Sequence, residues 1–296
     1  MSAAPGTNLV FLNGEILPAE SARISVMDRG FLFGDGVYEL VRCFRGVPVG
    51  MDLHVQRLGR SLEEARIRGF RAEEYPRLVE RLLAASGLRD ACVYLQVTRG
   101  CEAVRSHVPP PQLTPTVFAS VTPSGPFETL VAPEAVRAVV APDLRWHRCA
   151  IKTISLMGNV LSLLPAAEAG AQEAILHRDG LVSEGCSTNV LAWTGRALAT
   201  PPLDSQPPIL HGVSRAMLLD AARAAGIPVE ERALPLAELR AAPEVMITSS
   251  RRLVSSVVSL DGAPVGGGRT GEMATRLFTL LRTAVERTLP LPAGVA

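Results

Sequence analysis

A lysine side chain, the ordinary source of a primary amine, occurs once in this sequence. Of its 30 basic residues, 29 are arginine and one is lysine, at position 152. A guanidinium stays protonated in proteins, whereas a lysine amine that loses its proton can form a Schiff base with an aldehyde. Lys152 lies in an apolar segment, 149–156, where burial is expected to favour the neutral amine. The sequence therefore indicates amine chemistry at Lys152, and the alternative is a chance surface lysine that extends into solvent.

Acidic and hydroxyl residues at the ends of predicted elements form a second group of candidates. Glu184 ends a predicted strand before a run of small residues, 185–188. A carboxylate there could pair with a cofactor's ring nitrogen, or be a surface acid beside a turn. A phosphate group would be held by N–H groups at a helix start, by hydroxyls and by a guanidinium. Residues of these kinds include Val213 and Ser214 at a predicted helix start, Ser249 and Ser250 at a predicted strand end, and Arg57, although each of them could singly be an ordinary structural residue.

Hydrophobic periodicity and turn residues predict the elements that must position these side chains. Strands are predicted at 9–12, 15–17, 37–44, 92–98, 116–121, 135–140, 173–177, 181–183, 190–193, 197–199, 245–248 and 253–260. Asn13-Gly14 is predicted to close a hairpin, and the strands from 173 to 199 are expected to form one meander. Helices are predicted over 75–85, 156–170, 213–225 and 271–289, and another is expected to be capped by Asp52.

These elements indicate an α+β protein of two unequal, sheet-rich domains with helices packed outside. The smaller N-terminal α/β domain is expected to span residues 1–121. A linker, 122–128, and a larger C-terminal domain, 129–296, are expected to follow. Residues 1–7 are predicted to be frayed, and 290–296 to be a disordered tail.

Composition and charge exclude several classes of function. Thirty basic and 29 acidic residues give a net charge of +1, which would not attract nucleic acid or an anionic membrane. No basic patch followed by an apolar run begins the chain, which argues against secretion. The histidines lack metal-ligand spacing, so no metal is expected. Five scattered cysteines are expected to be reduced thiols of a cytoplasmic protein: Cys43, Cys92, Cys101, Cys149 and Cys186.

Several motifs occur together in a fixed order. Residues 28–39 read DRGFLFGDGVYE, 184–190 read EGCSTNV, 212–215 read GVSR and 248–250 read TSS. With Arg57 and the single lysine between the first two motifs, they span almost the whole chain. This pattern resembles the class IV (fold-type IV) pyridoxal-phosphate aminotransferases. The resemblance implies the two-domain fold of that family and a homodimer with its active site near the subunit interface.

The resemblance also implies pyridoxal 5′-phosphate as the cofactor and gives each candidate a role. Lys152 would hold the cofactor's aldehyde and then move a proton between the substrate Cα and the cofactor's C4′. Glu184 would keep the pyridine nitrogen protonated, and Leu210 would pack against the ring. The other cofactor-binding residues, most of them around the phosphate, would be Arg57, Ser187, Val213, Ser214, Ser249 and Ser250.

Within the family, the chain resembles the D-amino-acid aminotransferases, on the segments QVTRG at 96–100 and DLRWHRCAIK at 143–152. The resemblance implies that Tyr38, Arg105 and His107 bind the substrate α-carboxylate, the last two reaching in from the neighbouring subunit.

The loop that carries Arg105 differs from the resembled pattern in length. Four residues, among them Glu102, separate Gly100 from Arg105, one more than in the D-amino-acid subgroup. The difference, and the acid beside the proposed carboxylate site, bear on where Arg105 lies and on substrate range.

The expected reaction is ping-pong transfer of an amino group from a D-amino acid to 2-oxoglutarate or pyruvate. Two enzymes on the same scaffold stay as alternatives, a branched-chain L-amino-acid aminotransferase and a 4-amino-4-deoxychorismate lyase. A binding protein with a merely structural Lys152 is the non-enzymatic alternative.

Overall fold

A computed structural model of the chain describes residues 8–205 and 208–291. The predicted frayed segment 1–7 and residues 292–296 of the predicted tail lie outside the described residues. The chain divides into two compact units, which are described separately. Unit 1 runs to Thr129 and adds Ile151–Ser155 and the residues from Thr288, and unit 2 comprises Leu130–Ala150 and Leu156–Arg287.

Residues 151–155, which carry the lysine, cluster with the N-terminal unit, whereas the sequence placed them in the C-terminal part. Backbone pairing explains this difference. Tyr38 N donates to Lys152 O at 2.9 Å, Ile154 N donates to Gly36 O at 3.1 Å, and Val37 forms a β-bridge with Thr153. The segment is thereby attached to a strand of unit 1.

Unit 1 contains a six-stranded antiparallel sheet in the order β2-β1-β6-β5-β3-β4. The predicted hairpin is confirmed, since Leu12 pairs with Glu15 and both Asn13 and Gly14 have positive φ, at 48° and 106°. The strands are β1 (Leu9–Leu12), β2 (Glu15–Pro18), β3 (Gly36–Phe44), β4 (Val47–Pro48), β5 (Ala91–Thr98) and β6 (Thr116–Pro123).

The described residues of unit 1 form three α-helices: α1 (Arg29–Phe33), α2 (Met51–Glu64) and α3 (Tyr75–Ser86). Leucines of α2 and α3 pack with valines of β3 and β5 in one core. The sequence did not predict α1, whose first turn is capped by the Asp28 carboxylate and which ends at a left-handed Gly34. The predicted cap of α2 was wrong: Gly50 is the N-cap, and Asp52 lies in the first turn.

Unit 2 contains a mixed nine-stranded sheet in the order β12-β11-β10-β13-β14-β7-β8-β9, with β15 paired to β14. The predicted meander was wrong, because β9 pairs with β8 whereas β10 pairs with β11 and β13. The strands are β7 (Glu134–Pro142), β8 (Glu173–Arg178), β9 (Leu181–Gly185), β10 (Asn189–Trp193), β11 (Leu198–Thr200), β12 (Val229–Glu231), β13 (Glu244–Ser249), β14 (Leu253–Leu260) and β15 (Ala263–Pro264).

In unit 2, the part of the chain that the structure describes forms four helices: α4 (Met157–Glu168), α5 (Val213–Ala224), α6 (Leu236–Ala241) and α7 (Glu272–Glu286). Helices α5 and α7 pack against each other and against β13, while α4 lies on β7 and β8. Within residues 8–205 and 208–291, no helix has both the length and the apolar character needed to cross a membrane.

Candidate active site

Lys152 presents its amine beside an aromatic ring in unit 1. Its Nζ lies 4.1 Å from the centroid of the Tyr38 ring, and its backbone N–H donates to Ser61 Oγ at 3.1 Å. The side chain is half-buried, so the burial expected from its apolar neighbours is partial. Among the described residues, nothing forms a hydrogen bond or ion pair with Nζ. The amine is therefore held by its backbone and is open to an electrophile.

Arg57 is buried in unit 1 against a carboxylate. Glu39 Oε1 accepts from Arg57 Nε, and Glu39 Oε2 accepts from Arg57 Nη2 and from His54 Nδ1, each at 2.7 Å. Burial alone would raise the pKa of Glu39, but the charge and hydrogen bonds of Arg57, with His54, lower it to about 2. Burial lowers the pKa of His54, so the ring is neutral at pH 7. The group fixes the plane of the guanidinium.

Arg105 and His107 lie in an exposed loop of unit 1 and share one aromatic partner. Phe33, the last residue of α1, has its ring centroid 4.5 Å from Arg105 Cζ and 5.5 Å from the centroid of the His107 ring. Within one chain, no hydrogen bond or ring contact joins Tyr38 to either residue in the described structure. The structure thus brings two of the three predicted carboxylate ligands together.

Glu184 is a buried carboxylate of unit 2, only 3% exposed, which does not fit a surface acid. Its Oε1 accepts from Arg145 Nη1 at 2.9 Å, and its Oε2 accepts from Asn189 Nδ2 and Leu210 N, both at 3.1 Å. Burial raises the pKa of Glu184 above its ordinary value, although the Arg145 guanidinium opposes that change. Three donors on three different segments fix the orientation of this carboxylate.

Arg145 is itself anchored by a second acid. Its Nε and Nη2 donate to the two oxygens of Asp143, each at 2.9 Å, and Ser183 Oγ donates to Asp143 Oδ2 at 2.8 Å. Burial would raise the pKa of Asp143, but these contacts with Arg145 and Ser183 lower it well below its usual range. Sequence reasoning gave Arg145 and Asn189 no role. The sequence contained one signal for them, since Arg145 lies in the segment 143–152 and Asn189 in the motif 184–190. It did not show that either side chain contacts Glu184.

Three segments of unit 2 meet near the start of α5. Asn189 pairs with Thr248 across β10 and β13, and its Nδ2 donates to Leu210 O at 3.0 Å. Gly212, the N-cap of α5, lies so close to the Asn189 side chain that a Cβ at position 212 would be 1.8 Å from Asn189 Oδ1. No side chain caps this helix, and Thr248 Oγ1 is buried without a hydrogen-bond partner among the described residues.

The predicted phosphate ligands of unit 2 lie on these same segments. Val213 and Ser214 form the first turn of α5 and are buried. Ser249 ends β13 and Ser250 follows it, both half-buried, and no hydrogen bond of either hydroxyl is found in the described structure. Uncapped N–H groups and open hydroxyls are the donors that bind a phosphate.

The Ser187 hydroxyl forms a hydrogen bond within the chain. Its Oγ donates to Glu173 Oε2 at 3.0 Å, and the neighbouring Cys186 N donates to Glu173 Oε1 at 3.1 Å. Burial raises the pKa of the Cys186 thiol to about 12, so it remains a thiol and a small packing residue. In this chain Ser187 shapes the turn after Glu184, and its role as a cofactor ligand stays a prediction.

Comparisons with known proteins cover nearly the whole chain. The profile of the family described as amino-transferase class IV matches residues 36–260. The D-alanine aminotransferase of Bacillus licheniformis is 38% identical over 277 residues, which is 93% of this chain and 96% of that protein. The one of Staphylococcus haemolyticus is 34% identical over 270 residues, with 90% and 94% covered.

Solved structures are similar over the same extent. The branched-chain amino acid aminotransferase of Escherichia coli superimposes with a TM-score of 0.84 at 25% identity, covering 97% of this chain and 98% of that one. A hypothetical aminotransferase of Mycobacterium tuberculosis in its PLP-bound form gives a TM-score of 0.78 at 26% identity, covering 94% and 98%.

Proposed function

The chain belongs to the class IV aminotransferases, and we propose that it transfers the amino group of a D-amino acid to a 2-oxo acid. Membership makes it a pyridoxal-phosphate-dependent transaminase. The observation that carries the proposal is the amine of the only lysine, which has no hydrogen bond or ion pair among the described residues, in a chain 38% identical to a D-alanine aminotransferase. We propose 2-oxoglutarate or pyruvate as the acceptor in the second of two half-reactions.

The residues present fit pyridoxal 5′-phosphate. An amine without a hydrogen bond or ion pair among the described residues suits an aldehyde, and a buried carboxylate held by three donors suits a ring nitrogen. The Thr248 hydroxyl, which has no hydrogen-bond partner in the described structure, and the uncapped N–H groups of α5 suit a phosphate. When bound, the cofactor supplies an aldehyde that takes up amines and a ring that withdraws electrons from Cα.

The chain's own residues would divide the work. Lys152 Nζ would hold the cofactor, and once released would take the proton from the substrate Cα and deliver it as a general acid. Glu184, held in place by Arg145, would keep the proton on the ring nitrogen. Arg105 and His107 would neutralise the substrate carboxylate, which must lose water on binding.

We propose a homodimer, as the family resemblance implies. Helix α4 supports this, because it exposes an apolar face at the helical spacing i, i+3, i+4 and i+7. The face consists of Met157, Val160, Leu161 and Leu164. An apolar patch of this kind on a helix of a charged, globular protein marks an interaction surface.

We propose the cytoplasm as the working compartment. All five cysteines are free, which fits a reducing environment. Recovery of the transaminase activity from the cytoplasmic fraction of the source cells would test this, and recovery from a secreted fraction would contradict it.

The test of the proposed function uses the purified protein with pyridoxal 5′-phosphate. We expect D-alanine, but not L-alanine, to convert the cofactor spectrum in one half-reaction, and 2-oxoglutarate to restore it. Borohydride reduction before substrate should leave the cofactor's mass on the peptide that contains Lys152, and Lys152→Ala should abolish both results. Activity with L-leucine alone would favour a branched-chain enzyme. Catalytic release of pyruvate from an aromatic precursor without an acceptor would favour a lyase.

A further inference from the structure

The loop that carries Arg105 and His107 contains a buried acid that the proposed reaction does not use. Glu102 has a side chain only 1% exposed, whereas residues 103–108 are all exposed. A carboxylate is almost never buried without a partner, so Glu102 must be held by something specific.

Arg29, the first residue of α1, is that partner. Its Nη1 donates to Glu102 Oε1 at 2.7 Å and to Ser106 O at 2.6 Å, and its Nη2 donates to His107 O at 3.3 Å. Ser106 N also donates to Glu102 Oε1, at 3.2 Å. The pair thus holds the backbone immediately after Arg105, at Ser106 and His107.

The other end of Arg29 is fixed to the body of unit 1. Its Nε donates to Asp35 Oδ2 at 2.8 Å, and Arg99 donates to both oxygens of Asp35 at 2.7 and 2.9 Å. The backbone N–H of Arg29 donates to Gly100 O at 2.9 Å, at the base of the loop. The loop is therefore tied through Arg29 to Asp35 and to the segment that follows β5.

The side chains of the loop contact Phe33. Arg29 Cζ lies 4.6 Å from the Phe33 ring centroid, and Arg105 Cζ lies at 4.5 Å from it. Glu102 and Arg29 position the backbone, and Phe33 positions the guanidinium and imidazole that the backbone carries.

We propose that Glu102 and Arg29 form a clasp that holds Arg105 and His107 in place and so sets the affinity for the substrate carboxylate. This rests on the proposed function of Arg105 and His107. Replacing a buried ion pair by apolar groups is often neutral for stability, so such a pair is better suited to fixing one conformation than to adding stability. Glu102 and Arg29 are positioning residues.

The test compares Glu102→Ala with Glu73→Ala, an exposed glutamate of the same unit for which the described structure shows no side-chain contact. We expect Glu102→Ala to raise amide exchange of residues 101–107 by about tenfold and to leave the peptide around Lys152 unchanged. The KM for D-alanine should rise by about tenfold, while kcat stays within about threefold and cofactor affinity is unchanged. Glu73→Ala should change none of these.

Several results would overturn the proposal. Unchanged exchange, unchanged KM, or a KM that rises only with matching losses of kcat and cofactor affinity would each do so. If Glu102→Ala does not fold, Glu102→Gln carries the same test with about a threefold effect, since its Oε1 can still accept and its Nε2 replaces an oxygen without a partner among the described residues. If the wild type transfers no amino group, the proposed function fails, whereas the exchange measurement still tests the clasp.

Discussion

At the scale of single residues, the charge of Glu184 is the feature most open to direct test. Glu184→Gln removes the carboxylate that is proposed to face the cofactor's ring nitrogen, and its Nε2 must oppose a donor of Arg145, Asn189 or Leu210. We expect the single-turnover rate with D-alanine to fall by about 10² to 10³-fold, as for other preorganised electrostatic groups. Stopped-flow absorbance measures that rate. Glu168→Gln, an exposed acid on α4, is the control, and an unchanged rate in Glu184→Gln would contradict the assigned role.

The buried Glu39 makes a prediction about acid stability. Its pKa in the folded protein, about 2, is lower than the ordinary 4.5, so its stabilising contribution is present above about pH 4.5 and is lost as the pH falls towards 2. The difference corresponds to about 3 kcal/mol. Urea titrations measure the free energy of unfolding of wild type and Glu39→Gln. The difference between the two should narrow by about 2 kcal/mol from pH 7 to pH 3. Glu63→Gln, at an exposed position on α2, should have the same unfolding free energy as the wild type at each pH. A difference between wild type and Glu39→Gln that does not change with pH would refute the prediction.

At the scale of elements, features that depend on neighbouring residues were predicted correctly more often than pairings between distant strands. The Asn13-Gly14 hairpin and the helices α3, α5 and α7 follow from turn chemistry and periodicity, which act within a few residues. The meander failed because β10 pairs with β13, over 50 residues further along the chain, and nothing in β10 itself encodes that partner.

In the candidate site too, single residues could be predicted from the sequence, whereas most of their tertiary contacts could not. Lys152 and Glu184 could be selected by residue type and motif order. Arg145 and Leu210, two of the donors that hold Glu184, are far from it in the chain, and Arg29 is 73 residues from Glu102. No spacing rule predicts such contacts, because they arise only when the elements pack.

The start of α5 gives a prediction about an element end. In Gly212→Ala, the new Cβ would lie 1.8 Å from Asn189 Oδ1 and displace a side chain that holds Glu184. We expect a loss of about 1 to 3 kcal/mol in unfolding free energy and weaker cofactor binding. Thermal denaturation and a titration with pyridoxal 5′-phosphate measure the two.

The matched control is Gly59→Ala within α2, where the nearest atom would be Ala72 Cβ at an ordinary 3.7 Å. That change should be neutral or stabilising by up to about 1 kcal/mol, since alanine favours a helix. Equal behaviour of the two variants would mean that the close approach at Gly212 has no role.

At the scale of the whole molecule, the apolar face of α4 predicts an oligomer. Leu161, which is 60% exposed, lies near the middle of that face. Leu161→Glu places a charge where a partner surface would have to desolvate it, so we expect the proposed dimer to dissociate, as measured by sedimentation equilibrium. Transaminase activity should fall with it, because Arg105 and His107 are proposed to act in the neighbouring subunit. Leu181→Glu in β9, at a leucine 46% exposed outside the face, should leave the dimer intact. A wild-type monomer, or a Leu161→Glu dimer as tight as the wild type, would show that this face is not the subunit interface.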